Sequence, residues 1–169
     1  MKGQDVLLVL GLCAGLGKRS YAEMALSLGM SASEAHGAVR RLTEARLIHS
    51  GDRAVFHRPL CNFLIHGVPY AFPASAKEMV LGIPTAWAAP VLSGKLAPGS
   101  FPPVWPSRDG SVQGLAIRPL YSSVPKAAQN SPALYDLLAL VDALRIGNGA
   151  EKRIAGEEIF RKMTALASA

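Results

Sequence analysis

The chain contains little cysteine, and its two cysteines, Cys13 and Cys61, both lie in apolar surroundings. A disulfide-stapled scaffold needs several pairs, whereas cysteine among apolar residues behaves as a small buried hydrophobe. The composition therefore excludes a disulfide framework. We expect the reducing cytoplasm as the location of this protein.

The chain also has no hydrophobic run that could cross a membrane. Its apolar stretch at residues 6–16 is too short to span a bilayer. That stretch is a poor export signal as well, because Asp5 offsets Lys2 in front of it and no small-x-small cleavage site follows. We therefore expect neither export nor a membrane partner.

Charged residues are sparse, at 18% of the chain, whereas 50% of the residues are hydrophobic. This balance predicts a packed core and excludes wholesale disorder. The 18 Lys and Arg residues outnumber the 12 Asp and Glu residues, which gives a formal net charge of +6. A positive excess suits a polyanionic partner, but many basic proteins bind none, so charge alone does not decide the function.

An intact phosphate-binding loop is missing, although GLCAGLGKRS at residues 11–20 has its outline. Gly11 lies one residue too far from Gly17 and Lys18, and Arg19 occupies the position of the hydroxyl that would bind magnesium. The same stretch also fits the end of an amphipathic first helix that is closed by a glycine. We therefore predict no nucleotide cofactor.

Metal ligands and catalytic residues are equally scarce. The spacing of His57, Cys61 and His66 does not place them on one helical face, and no fourth ligand is apparent. Residues 73–125 hold two acids, Glu78 and Asp109, and no histidine. We predict neither a metal site nor an enzyme.

The informative part of the sequence is residues 20–42, where two short helices are predicted around a glycine turn. Ser20 and Glu23 form a capping box that begins the first helix, and Gly29 supplies the turn. A serine after the turn caps the second helix, whose apolar residues recur at helical spacing. These apolar residues are Ala35, Ala38, Val39 and Leu42.

A β-hairpin is predicted next, because LIHS and AVFH flank the turn residues Ser50, Gly51 and Asp52. Helix, turn, helix and hairpin in this order resemble the winged helix-turn-helix of bacterial transcription regulators of the MarR type. The resemblance covers about residues 4–58. Its matching features are Ala25 at the helix crossing, Gly29 and Met30 in the turn, and Ala35 and Ala38 in the second helix.

One position departs from the pattern of these regulators, which usually have a glycine where this chain has Arg46. If the backbone there is left-handed, arginine destabilises the fold relative to glycine, which adopts this conformation freely. The sequence leaves two alternatives. Either the helix ends differently, or the arginine compensates by reaching the DNA backbone.

The resemblance implies that the second of the two helices enters the major groove of double-stranded DNA. His36 and Arg40 lie on its exposed face, where Arg40 can pair bidentately with guanine. Lys18 and Arg19 lie at a helix N-terminus, which suits an anion, and Arg53 at the hairpin tip would meet the backbone or minor groove. Exposed basic residues are also ordinary solubilising charges. The predicted DNA-binding residues are Lys18, Arg19, Ser20, Ser31, Ser33, His36, Arg40, Arg41 and Arg53.

The predicted fold is mainly α with a small β wing, in three segments. Residues 1–72 form the winged helix-turn-helix. Residues 73–130 form an irregular, proline-rich extended segment with short strands, because nine of the twelve prolines fall within 73–125 and exclude long helices. Residues 131–169 form a C-terminal helical hairpin with a break at 147–149, which serves dimerisation or partner binding.

Together these features predict a sequence-specific, double-stranded DNA-binding protein that represses transcription as a homodimer. The alternative is an antitoxin-like protein or an accessory protein of a defence system. In that alternative the C-terminal part binds a protein partner, and DNA binding is secondary.

Overall fold

The computed structural model describes residues 1–167 and shows a mainly helical chain with one small three-stranded sheet. The helices are α1 Gly3–Cys13, α2 Tyr21–Leu28, α3 Ala32–Glu44, α4 His57–His66, α5 Val68–Ala71, α6 Val124–Asn130, α7 Pro132–Ile146 and α8 Gly149–Ala167. The strands are β1 Ala76–Pro84, β2 Pro103–Pro106 and β3 Val112–Ile117.

The first helix, α1, is apolar on all sides and lies inside the fold. Residues 6–10 are fully buried, as expected for a helix without a polar face. The helix packs against α2, α3 and α7. The stretch with the outline of a phosphate loop is therefore the end of this core helix, followed by Gly15 at a φ of 101°.

The two helices predicted around Gly29 are confirmed as α2 and α3. The Ser20 hydroxyl accepts a hydrogen bond from the Glu23 amide at 3.3 Å, and the Glu23 carboxylate accepts from the Ser20 amide at 2.8 Å. Gly29 has a φ of 64°, the left-handed conformation that ends α2. Ser31 then caps α3, with its hydroxyl accepting from the Glu34 amide at 3.1 Å.

One face of α3 packs against α1 and α2, and this face is the predicted apolar stripe. The helix ends at Glu44, and Arg46 then adopts a φ of 56°. Arginine therefore occupies the left-handed conformation for which glycine is better suited. The stripe consists of Ala35, Ala38, Val39 and Leu42, which are all buried.

The hairpin after α3 is small. Ile48 and Val55 form an isolated antiparallel bridge, and the His49 amide donates to the Ala54 carbonyl at 2.8 Å. Leu47 and Ile48 are buried, which anchors the hairpin to the helices. Most of the β structure of the chain thus lies outside this predicted wing.

The middle segment differs from the irregular structure that was expected, because it forms a closed three-stranded sheet. Strand β1 pairs antiparallel with β2 and β3, and β2 pairs parallel with β3. Pro84, Pro103 and Pro106 stand at strand ends, where a missing backbone N–H costs least. The density of prolines therefore limits strand length but does not prevent pairing.

Two glycines allow the three strands to close on one another. A Cβ atom on Gly82 would lie 2.2 Å from the Trp105 carbonyl oxygen, and one on Gly114 would lie 2.1 Å from the Pro102 carbonyl oxygen. A side chain at either position would push the strands apart.

The C-terminal helices α7 and α8 are confirmed, with the break between Ile146 and Gly149. The leucines of α7 are buried, and so are most residues between them. α8 packs on α7 and α4. The apolar face of α7, one of the two helices predicted to serve dimerisation or partner binding, is therefore used inside the chain itself.

A buried polar cluster joins α7 to the sheet. The Asp142 carboxylate accepts from the Trp105 indole at 2.6 Å, the Thr85 hydroxyl at 2.9 Å and the Arg145 guanidinium at 2.6 Å. Arg145 also donates to the Phe72 carbonyl at 2.8 Å. Each buried charge thus has partners, which its removal from water requires.

One hydrophobic cluster runs through the described residues from Val6 to Met163 and draws on all three predicted segments. The middle segment and the C-terminal helices therefore share a core with the N-terminal helices. Within residues 1–167, no helix combines the length and the apolar character that crossing a membrane demands.

Candidate nucleic-acid interface

The outer face of α3 is open to solvent. Ser33, His36 and Arg40 are exposed along it, on the side opposite the buried stripe. The Arg40 side chain is 75% exposed, and its Nε atom lies 3.9 Å from Glu44 Oε1. An exposed ion pair of this length contributes little, so the guanidinium of Arg40 is available to another partner.

An open cleft of ≈ 660 Å³ lies between this face and the hairpin. Serine, threonine, histidine and arginine side chains line it, together with a single carboxylate, so that donors dominate. The lining residues are Tyr21, Ser33, His36, Gly37, Val39, Arg40, Thr43, Glu44 and Ser50.

A three-layer stack fixes the orientation of His36. Its ring lies on the ring of Tyr21 with 3.6 Å between centroids and 20° between planes. On the same tyrosine, the Cζ atom of Arg53 lies 5.0 Å from the ring centroid, within the range of a cation–π contact. The stack therefore couples the hairpin to α2 and α3.

The Arg53 guanidinium is bound by the chain itself. Its Nη2 atom donates to the carbonyl oxygens of Gly17 at 3.1 Å and Arg19 at 3.0 Å. The residue has a φ of 60°, and the two hydrogen bonds hold the hairpin against the start of α2. The guanidinium of this predicted DNA contact therefore already has partners within the chain.

Arg41 is also bound within the chain. Its Nε and Nη2 atoms donate to the Asp5 carboxylate at 2.9 Å and 2.6 Å, and the Asp5 side chain is fully buried. Bidentate pairing of this kind is strong and geometrically specific. The pair locks α3 to the start of α1, so Arg41 does not join Arg40 on the outer face.

The hydroxyls of Ser20 and Ser31 act as helix caps. Ser20 also donates to the Glu23 carboxylate at 2.7 Å. The Ser20 hydroxyl and amide hold the pKa of Glu23 below its ordinary value, because both hydrogen bonds favour the ionised carboxylate. Of the predicted serines, Ser33 is the one that points from the exposed face without a capping role.

The middle segment contacts the turn between α2 and α3. The Tyr121 hydroxyl donates to Glu34 Oε1 at 2.7 Å, and the Ser123 hydroxyl donates to the Leu28 carbonyl. The Ser31 amide and the Tyr121 hydroxyl together hold the pKa of Glu34 below its ordinary value. These contacts support α3 from its N-terminal end and leave His36 and Arg40 uncovered.

Lys18 and Arg19 lie just before α2 and are exposed. They flank the N-terminus of a helix, where backbone amides and the helix dipole favour an anion. Their side chains are not among the residues that line the α3 cleft, although Tyr21, the first residue of α2, is one of them. Arg19 lines a groove on the other side of α2.

Sequence reasoning did not identify Tyr21, Asp5 or Tyr121 as part of this region. Each acts through a partner distant in the chain, such as Asp5 on Arg41, which lies 36 positions further along the chain. The residue types carried no local signal, since an aromatic at the start of α2 and an acid in α1 are individually ordinary.

Across residues 1–167, there is no cluster of three or more His, Cys, Asp or Glu side chains suited to a metal ion. His57 and Cys61 line a small cleft between α4 and α8, without His66. Burial lowers the pKa of His57 and raises that of Cys61, because it disfavours the charged form of each group.

Comparison with known proteins gives no match, since no family model, no curated protein and no solved structure matches this chain.

Proposed function

We propose that this protein binds double-stranded DNA in a sequence-specific manner through the outer face of α3. One observation carries the proposal. The exposed face of α3 presents Ser33, His36 and Arg40, and no other part of the described chain covers it. A helix with one buried and one exposed polar face fits the major groove, which admits a single α-helix.

Arg40 is the base-reading residue in this proposal. Its guanidinium is exposed and has only a long contact to Glu44, so it is free to pair with the O6 and N7 atoms of guanine. His36 lies one turn earlier and is held by Tyr21, so its ring reaches the duplex in a fixed orientation. Ser33 supplies a donor for phosphate or a base edge.

Lys18 and Arg19 bind phosphate in this proposal. They precede α2 and are exposed, and phosphate contacts at a helix N-terminus orient a protein on the duplex without reading its sequence. Arg53 and Arg41 take positioning roles, since their guanidinium groups are bound by backbone carbonyls and by Asp5.

Transcriptional repression by a homodimer remains the regulatory prediction. The leucines of α7 are buried within the chain, whereas Phe160 on α8, the other helix of the predicted dimerisation hairpin, is 61% exposed. Light scattering on the free and the DNA-bound protein measures the oligomeric state, because two copies on one duplex imply a two-fold related site.

The decisive experiment selects bound fragments from a random double-stranded DNA library. We expect an enriched motif that contains a guanine whose replacement weakens binding of the wild-type protein but not of Arg40→Ala. A matched control is Arg153→Ala, which removes an exposed arginine on α8. Failure to enrich any motif, with binding equal for all fragments, would refute sequence-specific recognition.

A further inference from the structure

A second concave surface lies on the opposite flank of α2, away from the α3 cleft. We call it the α2–α6 groove. At its centre Leu26 is 84% exposed, as much as Tyr70 and more than the other large hydrophobic residues that the structure describes. The groove has a volume of ≈ 520 Å³. Its lining residues are Ala14, Gly15, Leu16, Arg19, Leu26, Ser27, Leu28, Lys126, Ala127, Asn130, Ser131 and Leu134.

The lining of the groove combines apolar and polar side chains. Leu28, Ala127 and Leu134 belong to the core and are almost fully buried, and Leu16 is partly buried. Single exposed leucines are common on protein surfaces and mean little. Leu26 differs because it lines a concave surface together with two cations, so that one ligand can contact all three side chains.

The two walls of the groove are fastened to each other. The Ser123 hydroxyl, next to the start of α6, donates to the Leu28 carbonyl at the end of α2. Ser123 also lies so close to Gly29 that a Cβ atom there would be 2.7 Å from the Ser123 Cβ. A groove with fixed walls binds a partner without the cost of ordering itself.

The rim of the groove is cationic. Arg19 and Lys126 both line it, whereas no Asp or Glu does. Within the part of the chain that the structure describes, neither side chain forms a salt bridge. Both cations are therefore available to external carboxylates.

We propose that the α2–α6 groove docks an acidic polypeptide segment of a protein partner, with an apolar side chain on Leu26 and carboxylates on Arg19 and Lys126. DNA does not suit this surface, because a duplex offers phosphates to the two cations but leaves the exposed Leu26 side chain without an apolar partner. Arg19 is shared with the proposed phosphate contact, whereas Leu26 and Lys126 lie outside the proposed DNA-binding residues, so variants of these two residues test the groove apart from DNA binding.

The test is selection from a random peptide library on the immobilised full-length chain, followed by affinity measurement with fluorescein-labelled selected peptides. We expect enriched peptides to combine Asp or Glu with Leu, Ile or Phe. Leu26→Asp should weaken their binding roughly tenfold or more, because it puts a charge where an apolar anchor was buried. Tyr70→Asp, an equally exposed residue on α5, is the matched control and should bind as the wild type does.

A charge swap tests the rim separately. Lys126→Glu should weaken the binding of the selected peptides. A peptide in which lysine replaces the critical carboxylate residue should bind this variant and should no longer bind the wild type. Lys152→Glu on α8 is the control. Three results would each overturn the proposed occupant. The enriched peptides could lack Asp and Glu, or they could bind Leu26→Asp as tightly as the wild type. The chain could also self-associate in a way that Leu26→Asp abolishes. DNA affinity measured on the same variants should be unchanged, which keeps this test apart from that of the α3 face.

Discussion

Arg40 projects from α3 with a single long contact to Glu44, and its role can be tested by one substitution. We predict that Arg40→Ala costs about 1–3 kcal/mol of binding free energy on the selected DNA site and relaxes base preference at one position. Competition binding with single-base variants of the site measures both effects. Unchanged discrimination in Arg40→Ala would show that another residue reads the bases.

Arg46 has a left-handed backbone with a φ of 56° and an exposed side chain. Arg46→Gly should stabilise the protein by about 1 kcal/mol, because glycine adopts this conformation without the clash of a Cβ atom. Urea unfolding measures the change, with Arg46→Ala as the control that keeps the clash. Loss of DNA affinity in both variants would instead show that the Arg46 side chain contacts the DNA backbone.

Arg53 was predicted to touch DNA, and the structure shows its guanidinium bound to two carbonyls and to Tyr21. We therefore expect Arg53→Ala to lower the thermal unfolding temperature and to weaken binding to every DNA sequence, because the hairpin loses its attachment. The salt dependence of binding should keep its slope, since no phosphate contact is removed. A salt-dependence slope that is smaller by about one in Arg53→Ala, together with unchanged stability, would show instead that Arg53 contacts a DNA phosphate directly.

At the scale of elements, the capping boxes make helix stability depend on pH. Hydrogen bonds to Ser31 and Tyr121 lower the folded pKa of Glu34 below its ordinary value of 4.5. The stabilisation is therefore fully present above that value and is lost as the pH falls through the folded pKa.

We predict that wild-type protein loses more stability than Glu34→Gln between neutral pH and pH about 3. The glutamine keeps a hydrogen-bonding side chain but cannot titrate. Chemical denaturation of both proteins at the two pH values gives the comparison, and Glu44→Gln on the same helix is the control. Equal losses of stability in the wild type and in Glu34→Gln would show that the capping box of α3 does not contribute to the pH dependence.

Local sequence predicted α2, α3 and their turn well, because caps and helical stripes depend on residues three or four positions apart. The sheet was predicted poorly. Its partners, such as Met79 and Leu115, are distant in the chain, and prolines at strand ends resemble prolines in an irregular loop until the pairing is known.

At the scale of the whole molecule, the Asp142 cluster connects α7, the sheet and the segment after α5. We predict that Asp142→Ala destabilises the protein by about 3–5 kcal/mol, because Arg145 is left as a buried charge without its carboxylate. Asp136→Ala on the same helix removes a partly exposed pair with Lys162 and should cost at most about 1 kcal/mol. Denaturant midpoints of the two variants provide the comparison, and equal midpoints would contradict the buried-charge argument.

The shared core also bears on how the proposed surfaces relate to each other. Tyr121 and Ser123 belong to the predicted middle segment, yet they support the α2–α3 turn through Glu34 and the Leu28 carbonyl. The α2–α6 groove exists because of the same contacts. Its two walls come from the first and second predicted segments, so inspection of either segment alone does not reveal it.

By itself the sequence determined the mainly helical class, the two capped helices and the exposed face of α3, since these follow from contacts between near neighbours in the chain. Only the tertiary structure decided which cations are free. Arg41 and Arg40 are adjacent in sequence, but Arg41 reaches the buried Asp5 while Arg40 faces solvent. The physical reason is that a charge is satisfied by whatever the fold brings within hydrogen-bond distance, and those partners lie far away along the chain.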